Sequence, residues 1–323
     1  MGFYLKNQNY IGTVGGNRFD NLPLIGSNGS LYSFTTFTFT SGGIVSGRLG
    51  PSLATLLSNY NTVENDWLND TLFFNSTDSI QLWTVPASGT YKIVAYGAQG
   101  GFAGQTGSGS GGFGAKIEGD FDLEAGSKLR IVVGQVGGTS TGQSGGGGGG
   151  SFVLKETGFT ESDILIIAGG GGGGQRTNNG GAGNSTTSAT PGATFPVPFI
   201  GEGGNNSGAT GGAGGAGFSS DGASGQGGAN SGGKSPANGF YGGVAGTCTA
   251  SGAGVNDVGG FGGGGGGEWC SQGAGGGGGG YTGGNGSNAT PAGGGAGSYN
   301  NGANQINTAG FNSNQGKVEI TLL

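Results

Sequence analysis

Short apolar segments alternate with turn residues from Ser33 to Gly138. Ile80, Leu82 and Trp83 precede Thr84-Val85-Pro86, and Tyr91-Lys92-Ile93-Val94-Ala95-Tyr96, Lys116 to Leu123 and Lys128 to Val133 follow at short intervals. Strands of this length and spacing predict an antiparallel sandwich. Two further strands are expected at Phe152-Val153-Leu154 and Ile164-Leu165-Ile166-Ile167. At the C-terminus, Val318, Ile320 and Leu322 fall on one face of an alternating segment. The chain is therefore expected to leave the sandwich and re-enter it at its last strand. One short helix is predicted, Ser52 to Tyr60, where Leu53, Leu56, Leu57 and Tyr60 recur at helical spacing after Pro51.

Between these strands the pattern gives way to glycine. There are 89 glycines in 323 residues, with four unbroken runs of six at Gly145–Gly150, Gly169–Gly174, Gly262–Gly267 and Gly275–Gly280. Fixing glycine in a regular element costs roughly 0.5–1 kcal/mol per residue relative to alanine, so an ordered run needs a compensating interaction. Few large apolar side chains are available there, which leaves the backbone itself, whose buried N–H and C=O groups need partners. An extended helix with three residues per turn makes no internal hydrogen bonds, and side by side such helices satisfy one another where side chains are absent. At about 3.1 Å per residue, a run of six would span about 19 Å. Only eight prolines occur and no strict Gly-x-y period is present, which disfavours a collagen triple helix. Flexible loops are the alternative. Three parts are thus expected: an N-terminal segment, 1–33; a sandwich, 34–168, completed by 316–323, with a glycine excursion near 141–150; and a polyglycine bundle, 169–315.

The stretches Trp83-Thr84-Val85-Pro86 with Gly89-Thr90-Tyr91, Ala95 to Gly101, Ile131 to Gln135 and Gly145 to Lys155 form an ordered series. It continues through Leu165 to Gly174, Gly259 to Gly267, Cys270, Gly275 to Tyr281 and Gly283-Gly284-Asn285. In this series, from about Phe34 to Leu323, the chain resembles the glycine-rich domain in the extracellular part of anaplastic lymphoma kinase and leukocyte tyrosine kinase. The resemblance implies a mainly β fold: a tumour-necrosis-factor-like (TNF-like) antiparallel β-sandwich with an inserted polyglycine II helix bundle, and a binding rather than catalytic role. It also places a matching pair of cysteines at Cys248 and Cys270, implying a disulfide that in the chain-entropy model would contribute about 3 kcal/mol. Two reduced structural thiols remain the alternative. The chain departs from those receptors in having no kinase domain, membrane span, cysteine-rich membrane-proximal module or secretory leader pattern. Its long glycine tracts between variable polar loops are also similar to glycine-rich phage tail-fibre adhesins.

Charge and candidate chemistry narrow the function. The net charge is −6 and the 11 basic residues are scattered singly, unlike a surface that tracks nucleic-acid phosphates. No apolar run approaches the roughly 20 residues of a membrane span. With no histidine and no base beside either cysteine, no catalytic set is expected, and two thiolates alone fall short of a tetrahedral zinc site. No cofactor is expected. Gly228 to Ser235 matches the phosphate-loop pattern, but Pro236 and Asn238-Gly239 follow where a helix is required, so the match is read as chance. Glu118, Asp120, Asp122 and Glu124 alternate with Ile117, Gly119, Phe121 and Leu123, giving a solvated strand face with calcium binding as the alternative. The Asn-x-Ser/Thr sites are expected from composition alone, and no glycosylation is predicted.

The leading expectation is a non-enzymatic virion structural protein: a phage tail-fibre or receptor-binding adhesin, or a capsid-surface decoration, released by lysis. Phe3, Tyr4, Leu5 and Tyr10 are candidate anchors to other virion proteins. The most apolar stretch of the glycine-rich part, Thr194 to Ile200, offers Phe195 and Phe199 as contacts with a host receptor or assembly partner, or as a buried lid. Tyr241 and Trp269 are secondary candidates. A homo-oligomer is compatible with this reading. The alternatives are a secreted or receptor-derived cytokine-binding domain and a purely structural scaffold.

Overall fold

The computed structural model describes residues 13–14, 17–18, 29–44, 46–104, 109–192, 196–206, 211–225, 231–246, 257–268, 273–288 and 291–323. In the N-terminal segment, β1 (Thr13–Val14) pairs antiparallel with β2 (Asn17–Arg18). The candidate anchors Phe3, Tyr4, Leu5 and Tyr10 lie outside the described residues.

The remaining strands form two antiparallel sheets. Strands β3 (Thr36–Phe39), β6 (Gly89–Tyr96), β7 (Gly114–Leu123), β12 (Ala303–Asn312) and β13 (Lys317–Leu322) make a five-stranded sheet in the order β12-β7-β6-β13-β3. Strands β4 (Phe74–Thr77), β5 (Ile80–Thr84), β8 (Lys128–Val132), β9 (Ser151–Lys155), β10 (Ile164–Ala168) and β11 (Tyr299–Asn300) make a six-stranded one, β11-β10-β9-β8-β5-β4. The last strand sits between β6 and β3, so the C-terminus closes the sandwich as expected. Between the sheets, Phe39, Tyr91, Ile93, Ile117, Val318 and Ile320 from one side meet Phe74, Trp83, Leu129, Ile131, Val153 and Ile166 from the other. The Trp83 ring, fully buried, lies 5.1 Å from Phe34 and 5.9 Å from Tyr91. The predicted helix is α1 (Leu53–Asn59). Ser52 caps it by accepting from the Thr55 N–H, and Leu56 enters the core.

Strands β9 and β10 are buried on both faces, which explains why Ile164 to Ile167 reads as an unbroken apolar run. While Val153 and Ile166 face the sandwich interior, Val132, Phe152, Leu154, Ile164 and Ile167 form a second cluster with Phe218, Phe240, Phe261 and Tyr281. Those four aromatics come from the glycine-rich part. They fasten it to the outer face of the six-stranded sheet, and Tyr281 adds a 2.7 Å hydrogen bond from its hydroxyl to Glu161 Oε1.

Glycine runs elsewhere bond laterally to other segments with a period of three. In the run 169–174, Gly170 and Gly173 donate to Gly279 and Gly276, Gly171 and Gly174 donate to Ala98 and Gly101, and Gly172 donates to Gly181. In the run 145–150, Gly145 and Gly148 donate to Gly174 and Gly171, Gly146 and Gly149 to Gly138 and Gln135, and Gly147 and Gly150 to Gly265 and Gly262. The three acceptor segments of the run 145–150 all lie antiparallel to it, whereas the run 169–174 has one acceptor segment parallel to it, at Ala98 and Gly101, and one antiparallel, at Gly276 and Gly279. The run 262–267 behaves differently at its start: Gly262 and Gly263 have φ of +96° and +85° and both donate to the Phe240 carbonyl, forming a turn. Residues 299–312, expected in the glycine bundle, instead supply β11 and β12 to the two sheets.

Candidate partner-contact surface

The apolar stretch of the glycine-rich part resolves into a tethered loop. Asn285 Nδ2 donates to the Pro196 carbonyl at 3.1 Å, the Gly201 N–H donates to Thr282 Oγ1 at 2.8 Å, and the Ser219 N–H donates to the Gly201 carbonyl at 2.9 Å. Glu202 N–H closes the turn on the Phe199 carbonyl at 3.0 Å, and Gly201 takes φ +86°, a conformation open to glycine at little cost. Pro198 points inward. The outward side chains are Val197, Ile200 and Phe199, the last two 63% and 81% exposed. Phe199 is therefore displayed rather than folded under as a lid. Its expected companion Phe195 lies outside the described residues, as do Trp269, Cys248 and Cys270.

Tyr241 is half-buried at the edge of the second cluster and does not join the Phe199 loop. It borders a separate cleft where the glycine-rich part meets the sandwich. No sequence signal marked that cleft, because it depends on how two distant segments dock.

The acidic strand face on β7 is occupied by neighbours. Glu118 lies between Lys92 Nζ at 3.2 Å and Lys116 Nζ at 3.1 Å; burial raises its carboxyl pKa, but hydrogen bonds from the two ammonium groups outweigh that and hold it below the ordinary value. Asp120 accepts from Asn304 Nδ2 at 2.8 Å and Asp122 from Thr90 Oγ1 at 2.6 Å, while Ile117, Gly119, Phe121 and Leu123 are buried. Among the described residues, no group of three or more His, Cys, Asp or Glu side chains is gathered as a metal site. No helix among them is long and apolar enough to cross a membrane.

In the phosphate-loop match, Lys234 is engaged with Asp221 Oδ2 at 2.9 Å, and Asp221 Oδ1 also accepts from the Ser235 N–H and Asn238 Nδ2. After Ser235 the chain makes only a short 3-10 turn, Pro236–Asn238. The lysine is engaged elsewhere and the helix is missing, so the described part of the motif has the geometry of a chance match.

Two buried carboxylates escaped sequence reasoning. Asp257 is fully buried and its Oδ2 accepts from Ser144 Oγ, while Oδ1 has no hydrogen-bond partner; burial lifts its pKa to about 6. Glu268 is buried between backbone partners at Gly246 and Ala274, its Oε2 is likewise unsatisfied, and burial lifts its pKa to about 7. No protein-family model matches this chain, and no curated protein is significantly similar to it.

Proposed function

We propose that the protein is a non-enzymatic virion structural protein, a phage tail-fibre adhesin or capsid-surface decoration, in which a polyglycine II lattice on a sandwich holds recognition loops. The three-residue period of the lateral hydrogen bonds supports the polyglycine II reading, since a threefold helix sends successive N–H groups to three neighbours in turn. A lattice held by backbone bonds is a rigid base, and loops on rigid scaffolds are where recognition residues are displayed.

The observation that carries the functional reading is the loop 196–202, tethered at both ends yet exposing Phe199 and Ile200. A soluble protein gains nothing by holding a large aromatic side chain in water, whereas a buried aromatic anchor contributes strongly to an interface. The N-terminal segment is assigned to attachment to other virion proteins. Immunogold labelling of purified particles with an antibody to the chain tests the assignment. Label at a fibre tip or on the capsid is expected, and particles free of the chain would overturn the virion reading.

A further inference from the structure

A cleft of about 480 Å³ opens where the glycine-rich part meets the outer face of the six-stranded sheet. That volume falls in the range of small-molecule sites, roughly 300–1,000 Å³. Its sandwich wall carries Asp78, Ile80 and Leu82 of the β4–β5 hairpin with Arg130, Glu156 and Phe159; its other wall is the turn Pro236 to Gly239 and the ring of Tyr241. It shares no residue with the Phe199 loop.

Strained backbone converges on this cleft. Five described non-glycine residues have positive φ, and three of them are Asp78 (+50°), Ser79 (+68°) and Phe240 (+59°). Asp78 and Ser79 are the two central residues of a tight hairpin closed by Thr77 and Ile80, where φ is positive at both and Asn-Gly or Asp-Gly is the usual choice. Phe240 is a bulky residue in a region such residues rarely enter. Its conformation, after Gly239 at φ +89°, sends the Phe240 ring into the second cluster, 5.1 Å from Phe152, and leaves Tyr241 at the cleft. A Cβ at Gly239 would lie 2.8 Å from Tyr241 Cε2, so glycine there also leaves room for the ring.

Three polar groups at the cleft are free to bind. Among the described residues, the carboxylates of Asp78 and Glu156 and the hydroxyl of Tyr241 make no hydrogen bond or ion pair. Arg130 stacks on Phe159 at 4.7 Å and gives Nη1 to the Gly158 carbonyl at 3.1 Å, leaving its other donors. Two carboxylates against one guanidinium disfavour an anion, and the apolar lining of Ile80, Leu82 and Pro236 is too broken for an acyl chain. A sugar ring fits both features: its C–H face packs on an aromatic ring, and its hydroxyls donate charge-assisted hydrogen bonds to carboxylates.

We propose that this cleft is a binding site for a short neutral saccharide, with Tyr241 as the stacking platform, Asp78 and Glu156 as hydroxyl acceptors and Arg130 as donor. The test is an array of neutral hexose and N-acetylhexosamine oligosaccharides beside sialylated and sulfated ones, followed by titration of the best binder. Binding to a neutral oligosaccharide is expected. Glu156→Gln and Tyr241→Ala should weaken it roughly tenfold or more, the effect of losing one charge-assisted hydrogen bond or one aromatic contact, with Tyr241→Phe retaining most of it. The proposal fails if no neutral saccharide binds, if only the anionic ones do, or if Glu156→Gln and Tyr241→Ala, with unchanged melting, bind as tightly as the parent.

Discussion

A Cβ placed on Gly277 would lie 1.9 Å from the carbonyl oxygen of Gly284. The obstacle is backbone, which cannot swing aside as a side chain would, and the Gly277 N–H is itself bonded to the Ala213 carbonyl at 2.9 Å. Gly277→Ala is expected to destabilise the fold by about 1–3 kcal/mol or more, as overpacking does. Gly264→Val, whose Cβ would lie 2.1 Å from the Gly147 oxygen, should be worse. Gly89 is the control, because a Cβ there meets only the end of the Leu322 side chain at 3.0 Å. Urea denaturation of the three variants would measure this; equal midpoints would show that the lattice gives way easily.

The joint between lattice and sandwich rests on few side chains. Phe240 is almost fully buried between Phe152 and Phe159, with ring centroids 5.1 and 5.9 Å away. Truncation to alanine should cost about 3–5 kcal/mol. A separate early unfolding step for the glycine-rich part is expected by calorimetry. A single transition shifted by under about 1 kcal/mol would mean that backbone bonds, rather than the aromatic cluster, hold the two parts together.

Stability should also depend on pH through Asp257 and Glu268. Both have folded-state pKa values raised by burial, to about 6 and about 7, above the ordinary carboxyl range near 4. Their contribution is therefore fully present below about pH 4 and is lost as pH rises through 6 and 7. Glu118, Asp163 and Asp221 act oppositely. Their pKa values are lowered, so their contribution is present above the ordinary range and disappears as pH falls through the folded values. Maximum stability is expected in mild acid, with a loss on the order of 1–3 kcal/mol by pH 8. Asp257→Asn with Glu268→Gln should flatten the alkaline side of a melting profile; an unchanged slope would exclude these two groups as its cause.

How far the fold was legible depended on whether side chains carried a period. β6, β13 and α1 were legible because one face of each meets the core, and burial imposes alternation or helical spacing. β12 carries no such mark: it is an edge strand, exposed on both faces except near its end, and its polar residues are held by pairing with β7 and by side-chain hydrogen bonds such as Asn300 Nδ2 to Asn307 Oδ1 and Asn312 Nδ2 to the Gly97 carbonyl. The glycine runs announced that backbones must pair, yet six identical residues cannot say which neighbours they meet. The acceptors of the N–H groups of the run 169–174 alone lie in four separate segments, at Ala98 and Gly101, Gly181, Gly276 and Gly279, and Ser298. Of the candidate contacts, Phe199 was legible as an apolar residue in a polar context. The cleft beside Tyr241 was not, since it arises from the conformations of Gly239 and Phe240.

The loop bearing Phe199 gives the most direct test of partner contact. Val197, Phe199 and Ile200 are exposed, while the tethers that fix the loop run through the backbone at Pro196, Gly201 and Glu202 and the side chains of Thr282 and Asn285. Replacing Phe199 and Ile200 together by serine removes no buried packing, so the melting temperature should move little, within about 0.5 kcal/mol per site. If the loop is an anchor, the same change deletes an aromatic and an aliphatic contact from the centre of an interface. Each such deletion commonly costs about 2 kcal/mol or more, so attachment of the tagged protein to particles or cells should fall by roughly a hundredfold or more. Thr282→Val separates order from contact: it removes the 2.8 Å tether to Gly201 while leaving both apolar side chains in place, and should weaken attachment only partly. Full attachment by the double-serine variant, at unchanged stability, would remove this loop from the contact surface.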